Sequence, residues 1–202
     1  MIHAGTAAQI NWGKGDWIFL DVGFSSTARS CGLLVGDGEP RCITFAEAHA
    51  EIKKAIARLI APNLVIEAPL SASFNSSGNP TGRSIELEGT KARYWYTGPG
   101  CAVMVASMYL IRDLALESET ASIRLFEGFV SYKSSKPSGH REDVLALRSV
   151  VQNPRKFHRA IYEAHQLKKS HGDELFSAFR VAGLDYGIPA VIKPTPDVWE
   201  GI

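Results

Sequence analysis

The chain has 202 residues, 45% hydrophobic and 21% charged, which suits one domain with a single core and excludes a disordered or fibrous polymer. A formal charge of +1 excludes a global basic field, so any nucleic-acid partner must be held by a local patch. Cys31, Cys42 and Cys101 match no zinc spacing and no disulfide scaffold. Scattered thiols, the lack of an apolar leader in residues 1–14 and the lack of an apolar run near the roughly 20 residues that span a bilayer imply a cytoplasmic protein with no membrane association.

Residues 1–15 read as a loose arm before a single domain over 16–202. Trp17 to Phe24 is an almost unbroken apolar run, the signature of a strand buried on both faces. Cys31–Val35 follows as a second strand, Gly36-Asp37-Gly38 as a hairpin turn and Arg41–Thr44 as a third strand. Thr44-Phe45-Ala46-Glu47 is a capping box. It opens a helix whose apolar face is Ile52, Ala55, Ile56, Leu59 and Ile60. Leu64–Glu67 is a short strand stopped by Pro69, and residues 71–99 form a long irregular loop rich in Ser, Gly, Asn and Pro. A helix over about 100–116, a strand from Ile123 to Val130 and helices over about 139–152, 155–169 and 173–182 complete the pattern, with a last strand at Ala190–Ile192. Three strands, then helices alternating with strands, predict an α/β fold with a ribonuclease H-like mixed sheet flanked by helices.

Four acidic residues stand at chemically costly positions. Asp21 lies in the first apolar strand, Glu67 ends the fourth, Glu127 lies in the strand from Ile123, and Asp143 shares a helix face with Leu147, Val150 and Val151. Unpaired buried carboxylates are expensive, and several that converge need a cation between them. All-oxygen sites suit Mg²⁺ or Mn²⁺, and two such ions roughly 4 Å apart activate water against a phosphodiester. Each carboxylate also has a plainer use: a turn cap for Asp21, loop hydrogen bonds for Glu67, pairing with Arg124 or Lys133 for Glu127, and service to the helix start for Asp143. His140, three residues before Asp143, is placed to assist proton transfer, and a one-residue helix shift would exchange Glu142 for Asp143 as the inward group.

Leu20-Asp21-Val22-Gly23, Val65-Ile66-Glu67-Ala68-Pro69-Leu70, Phe126-Glu127-Gly128 and His140-Arg141-Glu142-Asp143, in that order, resemble the motifs of the predicted-nuclease family called domain of unknown function 429, in the ribonuclease H-like superfamily. Gly82-Arg83 resembles the Gly-x-Arg of the same family, while Glu67 stands where that family usually has Asp. The resemblance implies a divalent-metal-dependent phosphodiester hydrolase. Asp21, Glu67, Glu127 and Asp143 would hold the ions and His140 would assist.

For substrate, Arg83 in the long loop and Arg93 in the Lys91–Tyr96 aromatic stretch are placed to meet phosphates. So is a basic helix with Arg155, Lys156 and Arg159, backed by Lys168 and Lys169. The expected partner is DNA or RNA. The alternatives are a catalytically silent binding or scaffold protein of the same fold, and an actin- or sugar-kinase-like phosphotransferase built on Asp21-Val22-Gly23 and Asp185-Tyr186-Gly187. A further one is a nucleophilic Cys101 near a helix start, for which a small buried cysteine is the plainer state.

Overall fold

The structure, a computed structural model, describes residues 1–88, 91–92, 98–117, 122–130, 139–177, 180 and 186–202. Arg93, Lys133, Lys136 and Asp185 lie outside the described residues.

In chain order the elements are β1 (Ile2–Ala4), β2 (Asp16–Asp21), β3 (Cys31–Val35), β4 (Arg41–Ile43), α1 (Phe45–Ile56), β5 (Pro62–Glu67), β6 (Ser71–Phe74), β7 (Pro80–Thr81), β8 (Leu87–Glu88) and β9 (Lys91–Ala92). There follow α2 (Gly98–Glu117), β10 (Ile123–Gly128), α3 (His140–Gln152), β11 (Ile161–Tyr162), β12 (Glu174–Ser177), β13 (Val191–Ile192) and α4 (Pro196–Trp199). The main sheet runs β11-β13-β10-β5-β2-β3-β4, with β1 added beside β10. β2, β5, β10 and β13 are parallel, whereas β3 and β4 form an antiparallel meander on the other flank of β2. The mixed α/β architecture expected from the strand pattern is present.

Helices cover both faces. Ala48, Ile52 and Ile56 of α1 pack with Val103, Leu110, Ile111 and Leu114 of α2 against Ile18, Leu20, Leu64, Ile66 and Leu125. Val144, Leu147, Val150 and Val151 of α3 pack on the opposite face against Trp17, Phe19, Val65 and Phe126. The period-two alternation of each strand sorts its side chains between these two cores. Burial of this apolar area, about 25 cal/mol per Å², is the main force that holds the layers together.

The capping box forms as expected: Thr44 N–H donates to Glu47 Oε2 at 2.8 Å, and Glu47 N–H donates to Thr44 Oγ1 at 3.2 Å. α1 ends earlier than its sequence pattern suggests, and Ile60 is 94% exposed. α2 is long and apolar enough, by length and composition, to cross a bilayer, so the expectation that no run approaches that length is corrected. Here it lays one side on the sheet core.

Four expectations fail where tertiary pairing overrides local pattern. The N-terminal arm is not loose: it begins with a strand, Ile2–Ala4, in which Ile2 pairs with Ile123, and Ile2 and Ile10 are buried. The long loop at 71–99 contains β6 and β7, and β6 pairs with both β7 and β12 in a separate small sheet. The segment 173–182 carries that strand β12 in place of a helix: Glu174 to Ser177 pair in register with Phe74 to Ser71. The segment 155–169 is not one continuous helix either, but two short 3-10 turns, His158–Ala160 and Ala164–Leu167, on either side of a strand. Its backbone is committed to β11, which pairs with β13, and to Lys193, whose N–H donates to the Ala160 carbonyl.

Candidate active site

Asp21 and Glu67 end two adjacent parallel strands and are Cα partners in the ladder. The chain leaves β2 toward β3 on one side and enters β5 on the other, so these carboxylates stand where the strand order reverses. In open α/β sheets, ligands collect at the carboxyl ends of strands at such a point. Asp21 follows Trp17 and Phe19 in alternation, and Glu67 follows Val65, so both belong to the α3 face.

α3 arrives on that face with its first turn over Asp21. Gly32, the ladder partner of Asp21 on β3, is where it lands: a Cβ built there would lie 2.1 Å from the His140 carbonyl oxygen. Only glycine lets the helix backbone approach that closely. The result is a 2.6 Å contact between His140 Nδ1 and Asp21 Oδ2, with the Asp21 side chain 6% and the His140 side chain 40% exposed. Asp143 is buried and Glu142 exposed, which identifies Asp143 as the inward acid. One donor atom each from Asp21, His140 and Asp143 lies within 4.8 Å of the others. Glu67, buried and in register with Asp21, is not a member of this group.

Substitution of Gly32 by alanine is expected to push the start of α3 off the sheet. A stability loss of about 1–3 kcal/mol, the usual cost of overpacking, should appear in urea unfolding. An unchanged midpoint would show that α3 does not rest on this point.

Glu127 leaves the expected ligand set. Its neighbours in the strand show why: Phe126 packs in the α3 core, and a Cβ on Gly128 would touch Leu147 of α3. Glu127 therefore falls on a different side from Asp21 and Glu67. There Arg83 grips it in a two-pronged pair, Nη1 to Oε2 at 2.8 Å and Nη2 to Oε1 at 2.7 Å, and Leu70 N–H adds 2.9 Å to Oε2. Arg83 Nε also donates to Glu86 Oε1 at 2.7 Å, and Nη1 to Ser71 Oγ at 2.9 Å. Arg83, expected to meet substrate, is instead 0% exposed, and its guanidinium is committed to these partners. Burial works against its charge, but Glu127 and Glu86 more than offset that and hold the guanidinium above its ordinary value. No compositional cue separates this arginine from an exposed loop residue. The spacing Arg83…Glu86 is its only local signal.

Arg155, Lys156 and Arg159 are exposed, but they follow the far end of α3. The helix, His140–Gln152, puts about 18 Å of axis between its two ends. These cations therefore lie beyond the end of α3 opposite to the one that carries His140 and Asp143.

Cys31 sits beside the cluster, fully buried, and its Sγ lies 3.5 Å from the Gly23 carbonyl. Burial pushes its thiol up, a backbone hydrogen bond at Gly23 pulls the other way, and the Asp21 charge adds to the rise. Cys101, expected to be buried, is exposed. A thiol reagent applied to the native protein should label Cys101 first and leave Cys31 unmodified until the chain unfolds. Early loss of Cys31, mapped by mass spectrometry, would contradict this packing.

No family model, no curated protein and no solved structure matches the chain.

Proposed function

We propose that the protein is a divalent-metal-dependent phosphodiester hydrolase, a nuclease of ribonuclease H-like architecture. The observation that carries the reading is the meeting of Asp21, His140 and Asp143 within 4.8 Å, with Glu67 in register beside Asp21, where the strand order reverses. The strand order supports it as well, with an antiparallel meander on one flank of β2 and parallel strands on the other. That is the arrangement the motif resemblance implies.

The donor set fits a cation. Two ligand atoms on opposite sides of an ion, each at about 2.1–2.4 Å, are about 4.2–4.8 Å apart, so donors this close can share an ion in pairs. Carboxylate oxygens of this kind suit Mg²⁺ or Mn²⁺, and Mn²⁺ serves as the probe. Asp21 and Asp143 would hold the ion, with Glu67 the next carboxylate in reach of the same edge. When bound, such an ion activates a water and screens the charge of the phosphate. Asp21 has a second task in this chain, to orient His140 through Oδ2. With Nδ1 held by Asp21, the partly exposed imidazole can carry at Nε2 a proton that passes to a departing oxygen.

A second reading, a catalytically silent binding protein, is favoured by the commitment of Glu127 to Arg83, which removes one of four expected ligands. Labelled DNA and RNA oligonucleotides incubated with Mn²⁺ separate the two readings. The nuclease reading expects cleavage by the wild type that Asp21→Asn abolishes. A folded wild type that cleaves neither polymer with Mn²⁺ or Mg²⁺ favours the silent protein.

A further inference from the structure

The small sheet hangs from the carboxylate edge, because β6 begins four residues beyond Glu67. Its strands are tied to the main sheet through Arg83, which holds both Ser71 and Glu127. About 10 Å further along β6, at Phe74, the outer end of this sheet carries two grooves. One, of about 580 Å³, is lined in part by Phe74 and Asn75. The other, of about 440 Å³, is lined in part by His165 and Lys168, and the two share Glu174, Phe176 and Arg180. The rings of Phe74 and Phe176 meet edge to face at 5.4 Å, and Phe176 remains 37% exposed. His165, Lys168 and Arg180 are exposed around them, opposed within the grooves by Glu174.

We infer that these two grooves form the surface on which a single-stranded nucleic acid lies as it leads into the Asp21 site. The inference rests on the nuclease reading and names the substrate class of that site. Exposed rings stack on the faces of unpaired bases, and neighbouring cations neutralise the phosphates between them. A duplex keeps its base faces inside its own stack and offers Phe176 nothing equivalent. Among the described residues of the grooves Lys168 and Arg180 stand against Glu174, and these cations supply the attraction to phosphate on a chain whose net charge is only +1.

The test is fluorescence anisotropy with labelled oligo(dT) and oligo(U), with metal chelated so that nothing is cut, across a range of salt. Wild type should bind both single strands more tightly than a duplex of equal length. Phe176→Ala should weaken binding about five- to a hundredfold. Lys168→Ala with Arg180→Ala should lower the slope of log affinity against log salt by about 1.4, the value for two phosphate contacts on a single strand. Unchanged affinity and slope in these variants overturn the surface, as does absence of wild-type binding at low salt. Equally tight duplex binding that ignores Phe176→Ala overturns it too. Mn²⁺-dependent thermal stabilisation of the wild type is recorded in parallel. If it is present while the oligonucleotide tests fail, only the surface is rejected, and if it is absent the metal reading itself fails.

Discussion

Arg83→Ala should cost about 3–5 kcal/mol of folding stability, the usual cost of removing one partner from a buried ion pair. Arg83 and Glu127 are both 0% exposed, and Glu86 is 1% exposed. Truncation leaves two buried carboxylates without the cation that both face, and neither can reach water without opening the structure. A domain of this size holds about 5–15 kcal/mol in total, so the variant should unfold at much lower urea than wild type. Glu127→Gln tests the other half. It keeps the shape and leaves Arg83 with Glu86 and Ser71, so its loss should be smaller than that of Arg83→Ala. Equilibrium urea unfolding measures both. A loss under about 1 kcal/mol for Arg83→Ala, the range of an exposed pair, would contradict the buried network.

The second large effect falls on activity. Asp21→Asn and Asp143→Asn should each lower Mn²⁺-dependent phosphodiester cleavage by well over 10²-fold. His140→Ala should cost about 10–100-fold, the range seen when a partner that orients a metal ligand is lost. The order follows from the geometry. In the proposed centre Asp21 and Asp143 would supply buried oxygens, whereas His140 meets Asp21 Oδ2 through Nδ1 at 2.6 Å and acts beside the ion. Initial rates on a labelled oligonucleotide give the comparison, with circular dichroism to confirm folding. Equal losses for all three variants would mean that His140 is itself an indispensable ligand. Unaltered rates in Asp143→Asn would remove α3 from the site.

Much of this arrangement is legible in the chain before any coordinates. The apolar runs place Asp21 within the first strand and Glu67 at the end of another, and the helical spacing of Asp143 with Leu147, Val150 and Val151 places it inward. The register that makes Asp21 and Glu67 neighbours is invisible, since it depends on which strands pair. Glu127 misleads for a related reason. β10 is buried on both faces, so its hydrophobicity does not alternate, and nothing in Ile123–Gly128 marks which side Glu127 takes. The short strands β1, β11, β12 and β13, two to four residues each, carry no period of their own and exist because a neighbouring strand edge needs hydrogen-bond partners. Gly32 looks like any strand glycine until the approach of His140 gives it a reason.

The most direct measurement is thermal unfolding of the wild type and Asp21→Asn with increasing Mn²⁺. A ligand that binds only the native state raises its stability by mass action, by about 2.7 kcal/mol at a hundred times Kd. The wild type should show a rise in Tm that grows with Mn²⁺, and Asp21→Asn should show none. A Tm independent of Mn²⁺ in the wild type, or an equal rise in both proteins, would contradict a metal centre at Asp21.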